Sequence, residues 1–73
     1  MTARHYRTLL RNIVSRCHIT DSNRTVIRYA VSRLRRGSRL FFALPRTERR
    51  DFMRACIQLH AANRRLYKKV QQR

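Results

Sequence analysis

Thr47-Glu48-Arg49-Arg50-Asp51-Phe52-Met53-Arg54-Ala55-Cys56-Ile57-Gln58-Leu59-His60-Ala61-Ala62-Asn63-Arg64-Arg65-Leu66-Tyr67-Lys68-Lys69-Val70-Gln71 is the stretch whose periodicity decides the fold. Phe52, Cys56, Leu59, Asn63, Leu66 and Val70 recur at alternating steps of four and three, which is one helical seam with a single polar member. Pro45 stops any helix upstream, and Thr47 is placed to cap this one. Glu48 and Asp51 suit the positive N-terminal end, and Lys68 and Lys69 the negative C-terminal end. The predicted helix runs from Glu48 to Gln71, roughly 35 Å at 1.5 Å per residue. It is longer than anything else in the chain, so its basic end should project.

Outward from this segment, two shorter stripes appear. Tyr6, Leu10, Ile13, Val14 and Cys17 predict a helix from Ala3 to Cys17 with Thr2 as N-cap. Val26, Ile27, Ala30, Val31 and Leu34 predict a second from Asn23 to Arg36, capped by Asp21 or Ser22. Gly37 stands where a residue of positive φ ends such a helix. Arg39-Leu40-Phe41-Phe42-Ala43-Leu44-Pro45 is an apolar connector. It either folds back to close one end of the bundle or serves as a plug for a partner's groove. The expected architecture is all-α: residues 1–73 as a single antiparallel three-helix bundle with a projecting C-terminal helix.

Nineteen Lys and Arg against three acids give a formal net charge of +16 on 73 residues. Seventeen of the cations are Arg, whose planar fork matches phosphate and carboxylate. A chain this short supplies a core of no more than about 3–5 kcal/mol. Self-repulsion works against that core, so an anionic partner is expected to complete it. No apolar run is long enough to span a bilayer. The acid-free, Arg-rich first twenty residues have the pattern of a mitochondrial targeting segment, or are simply the first helix.

Catalytic chemistry is not expected. The three acids already serve helix starts, and Ser15, Ser22, Ser32 and Ser38 lack His and Asp partners. One glycine cannot build a phosphate loop. His5, His18 and His60 read as surface or helix-end residues. Cys17 and Cys56 read as two small buried thiols, or as a disulfide between the first and third helices. A resident metal or cofactor is not expected.

His5-Tyr6-Arg7-Thr8-Leu9-Leu10-Arg11-Asn12-Ile13 resembles the opening of the LYR-motif family, with His5 in place of the first Leu. Arg28-Tyr29-Ala30-Val31-Ser32-Arg33-Leu34-Arg35 resembles the family's basic second helix, with Leu34 at the Phe position. The segments are most similar to the branch of ATP synthase assembly factors. The resemblance implies a mitochondrial matrix adaptor that binds the acidic acyl carrier protein, whose phosphopantetheine-linked acyl chain enters between the helices. Tyr6, Arg7, Arg11 and Arg28 would then meet the carrier. Leu10, Ile13, Ile27, Val31, Leu34, Met53 and Ile57 would line the acyl chain, or pack only on each other.

The pair would act as assembly factor or accessory subunit of a large matrix complex. An acidic carrier does not need seventeen Arg. Arg33, Arg35, Arg36, Arg39, Arg64, Arg65, Lys68 and Lys69 are therefore assigned to a second anionic neighbour. Ribosomal RNA makes the mitoribosome, or its assembly intermediate, the leading candidate. ATP synthase, a respiratory complex, and a carrier-independent rRNA-binding protein are the alternatives. Self-association is not expected.

Overall fold

The computed structural model describes residues 3–34 and 37–71, with side chains from Arg7 onward. Among them are four helices and no strand: α1 (Ala3–Val14), α2 (Asn23–Ser32), α3 (Ser38–Ala43) and α4 (Arg46–Gln71). α1, α2 and α4 form the expected antiparallel bundle. α4 packs on both α1 and α2, and α3 leans on α2. No described helix is long and apolar enough to cross a membrane.

The core forms where the stripes meet. Leu10, Ile13 and Val14 of α1, Val26 and Ala30 of α2, Leu34, Phe41 of α3, and Phe52 and Cys56 of α4 are all buried. Ile27, Tyr29, Val31, Leu40, Met53, Ala55, Leu59 and Cys17 pack around them half-buried. Phe52 is the largest side chain with no exposure, and it meets Phe41 edge to face with ring centroids 5.5 Å apart. Such a pair adds about 0.5–1.5 kcal/mol beyond its buried area.

Several helix boundaries differ from those read along the chain. α1 ends at Val14, because Arg16 and Cys17 donate to Ile13 and Val14, three residues back. That tightened turn carries the apolar stripe on to Cys17 without continuing the α-helix. α2 ends at Ser32 rather than Arg36. Ser32 Oγ donates to the Tyr29 carbonyl at 2.6 Å, and Leu34 N–H bonds Val31 in another tight turn. A hydroxyl competing for helix carbonyls favours this kind of ending. Ser22, not Asp21, is the N-cap of α2: its Oγ accepts from the Thr25 N–H at 3.2 Å. Asp21 instead accepts from the His18 N–H at 3.0 Å, holding the preceding turn.

The connector is itself partly helical, which the sequence reading did not foresee. Gly37, at φ 58° and ψ −142°, reverses the chain and opens α3. That conformation is open to glycine and costly for other residues. Leu44 is extended, as the residue before a proline prefers. The Pro45 carbonyl accepts from Arg49 N–H at 3.0 Å, so α4 begins at Arg46 and Thr47 lies inside its first turn rather than capping it.

α4 is 26 residues long, about 39 Å. The molecule measures 44 × 21 × 18 Å, and its radius of gyration of 12.7 Å exceeds the roughly 11 Å of a compact chain of this size. The surplus length is the end of α4. There Leu66, Tyr67 and Val70 are exposed, although they continue the face that buries Phe52 and Cys56. Thr2, Arg35 and Arg36 lie outside the described residues.

Candidate functional site

Two hollows flank Phe41. The chain enters α3 at Gly37 and leaves at Leu44-Pro45, so six residues carry Phe41 inward and Phe42 outward. Phe41 is 8% exposed and Phe42 68% exposed, and the two rings meet edge to face at 5.4 Å. Phe41 thus closes the bundle, as the fold-back reading of the connector expects, and Phe42 is exposed to solvent.

The larger hollow, about 480 Å³, lies between α2 and α3. Ile27 and Val31, one turn apart on α2, form its floor with Phe41 and Phe42. Arg28, Ser32 and Ser38 supply its polar rim. An apolar groove with a single cation at the edge is matched to an amphiphile with a negative end.

The smaller hollow, about 280 Å³, lies on the other side of Phe41 and is lined by Phe41, Arg46, Arg49, Arg50 and Met53. The three arginines and Met53 stand at i, i+3, i+4 and i+7, which is one helix face. Glu48 and Asp51 project from the opposite side of the same turns and are exposed. Arg49 Nε is buried, with no hydrogen-bond partner among the described residues. An unmet donor of this kind costs about 1–3 kcal/mol.

The predicted acyl-chain lining is divided. Ile27 and Val31 share the larger hollow, and Met53 lines the smaller one. Leu10, Ile13 and Leu34 are closed into the core, and Ile57 is 38% exposed. Of the expected carrier contacts, Arg7 and Arg11 are exposed one turn apart on α1, and Arg28 is exposed at the α2–α3 groove. The Tyr6 side chain lies outside the described residues. Among the residues assigned to a second anionic neighbour, Arg33, Arg39, Arg65, Lys68 and Lys69 are exposed.

Arg64 is placed otherwise: it is half-buried, donating from Nε to the Ile19 carbonyl at 2.9 Å and from Nη2 to the Asp21 carbonyl at 2.8 Å. His60, expected at the surface, is 1% exposed and bonds the same Asp21 carbonyl through Nε2 at 2.9 Å. His18 is exposed as expected, with Nδ1 2.9 Å from Thr20 Oγ1.

Cys56 is buried and Cys17 half-buried, and both are free thiols. Burial, with the charge of Cys17 adding to it, pushes the Cys56 thiol up to about 12. Burial and the Asp21 carboxylate also raise Cys17. Neither environment favours the thiolate that a nucleophile requires. Among the described residues no three His, Cys, Asp or Glu side chains gather as metal ligands would.

Sequence reasoning missed Arg46, Arg49 and Arg50. Their shared face was readable from the spacing, but a helix start placed at Glu48 hid it. No family model matches this chain, and no similar protein was found among curated proteins or solved structures.

Proposed function

We propose that this protein is a non-enzymatic adaptor, of the kind the LYR-motif resemblance implies, that seats the acylated end of an acidic carrier protein. The supporting observation is the α2–α3 groove: an apolar floor of Ile27, Val31, Phe41 and Phe42 beneath the Arg28 guanidinium. The groove takes the place of an acyl channel through the middle of the bundle, where Leu10, Ile13 and Leu34 already pack. Each methylene buried there contributes about 0.8 kcal/mol. Binding to the folded form then stabilises a chain whose own core is small.

Arg7 and Arg11 add cations for the carrier's acidic surface, which speeds encounter and fixes orientation. Mitochondrial acyl carrier protein in the matrix is the proposed partner, with a mitoribosomal particle as the larger assembly. ATP synthase or a respiratory complex remains the alternative assembly.

A second reading, a carrier-independent rRNA-binding protein, is favoured by the exposed Arg65, Lys68 and Lys69 on the projecting end of α4. Cations aligned along a helix neutralise phosphates without reading sequence.

Co-expression with acylated and unacylated carrier tests the adaptor reading. A stable complex is expected with the acylated form, lost in Val31→Asp and weakened at least tenfold in Arg28→Glu, with helix content unchanged. Equal binding of both carrier forms, or of neither, rejects it. If only RNA binds, with an affinity falling steeply as salt rises, the second reading holds.

A further inference from the structure

We propose that the hollow between α3 and the first two turns of α4, lined by Phe41, Arg46, Arg49, Arg50 and Met53, is a binding site for the phosphate group of an organic phosphate. The inference does not depend on the adaptor reading, because it concerns the opposite side of Phe41. Three arginines at the start of a long helix oppose the positive end of its dipole. Their i, i+3 and i+4 spacing also sets like charges side by side. The acids that would offset them, Glu48 and Asp51, project from the other side of the helix. The chain thus concentrates positive charge around a concave surface and leaves it uncompensated.

Half-buried Arg49 lines this hollow, and its Nε–H is buried without an acceptor among the described residues. Buried donors are nearly always paired in folded proteins, so an orphan one points to a missing acceptor. Three guanidinium forks exceed what one carboxylate, with two oxygens and one charge, can use. A phosphate monoester offers three terminal oxygens and up to two charges, and two successive phosphodiesters of a backbone offer four such oxygens and two charges. Phe41 and Met53 form an apolar wall, which suits the organic part of an ester better than free inorganic phosphate. A volume of about 280 Å³ admits a phosphate with a small neighbouring group.

Two sources share this chemistry: a small phosphate monoester and the backbone of single-stranded RNA. The test uses the full chain at fixed ionic strength, with phenyl phosphate and a ten-nucleotide RNA as probes and sodium chloride as the control. Phenyl phosphate is expected to raise the melting temperature above the chloride control. Its affinity should fall at least tenfold in both Arg49→Met and Arg49→Lys, the second of which keeps the charge and loses the fork. Arg54→Gln and Lys68→Gln, which remove charge elsewhere, should change affinity by less than about twofold.

Without ligand, Arg49→Met should melt no lower than the parent, since it removes the unmet donor. With phenyl phosphate the order should reverse. RNA affinity that falls with Arg49→Lys assigns the site to the RNA backbone, and RNA affinity that is unchanged assigns it to a small ester. The proposal is overturned if phenyl phosphate does no more than matched chloride and RNA affinity is unchanged in both Arg49 variants. Equal affinity of the parent and both Arg49 variants overturns it too.

Discussion

His60 Nε2 lies 2.9 Å from the main-chain oxygen of Asp21, and Arg64 Nη2 reaches the same oxygen at 2.8 Å. One carbonyl in the α1–α2 turn therefore accepts from two side chains one turn apart on α4. A carbonyl has two acceptor positions, so the arrangement is fully satisfied. It ties the turn to α4 where the bundle ends and the projecting part of the helix begins.

Removing either donor leaves the carbonyl with the other. His60→Leu and Arg64→Met should each cost about 1 kcal/mol, and the double variant should exceed their sum by at least about 0.5 kcal/mol. Urea unfolding of the four proteins of the cycle measures this. Strict additivity would show that the two donors act independently.

Arg64 and Lys68 lie one turn apart but should behave oppositely. Arg64→Gln is expected to lower stability and barely alter polyanion binding. Lys68→Gln, at an exposed position, should leave stability within about 0.5 kcal/mol and reduce the salt slope of RNA binding. Melting curves beside salt-titrated RNA binding separate the two roles.

Phe52 is fully buried against Phe41. Phe52→Ala should cost about 3–5 kcal/mol, which matches the whole contribution expected of so small a core. The isolated variant should lose its cooperative melt by circular dichroism. Leu66→Ser, on the same seam but 62% exposed, should melt within a few degrees of the parent.

Gly37→Ala isolates a backbone effect. A Cβ there meets nothing within 4 Å, so the cost comes from φ 58° and ψ −142° alone. About 1–3 kcal/mol of destabilisation is expected. A larger side chain should add little to it, which a comparison of Gly37→Ala with Gly37→Ser checks.

Cys56 links stability to alkaline pH. Its thiol is raised from 9.0 to about 12 in the folded chain. Between those values the unfolded chain has released the proton and the folded chain retains it. Stability is thus unaffected below about pH 9 and falls as pH rises toward 12, by at most about 1.4 kcal/mol per pH unit. Urea midpoints at pH 8 and 10.5 should diverge more in the parent than in Cys56→Ala. Equal divergence would mean the thiol is not protected by burial.

Leu10, Val14, Val26, Ala30 and Phe52 were legible as core because a helix repeats its inward face every three or four residues. His60 falls near that same face, yet its polarity argued for solvent. What buries it is a carbonyl 39 positions away in sequence. The outward reading of Arg64 fails for the same reason, its partners being 45 and 43 positions distant. Phe41 and Phe42 are adjacent in an apolar run, and only the turn at Gly37 sends one inward and the other to solvent. Of the candidate sites, Arg28 with Ile27 and Val31 was legible, whereas the cluster of Arg46, Arg49 and Arg50 depended on where α4 starts.

By itself the sequence determined the helical class, the three long amphipathic segments and the excess of positive charge, since each is a property of local spacing or of composition. The tertiary structure decided where the helices stop, how much of the α4 seam is covered, and which side chains surround Phe41. Coverage is the physical reason: α1 and α2 are too short to shield all of α4, so identical apolar spacing is buried at Phe52 and bare at Val70.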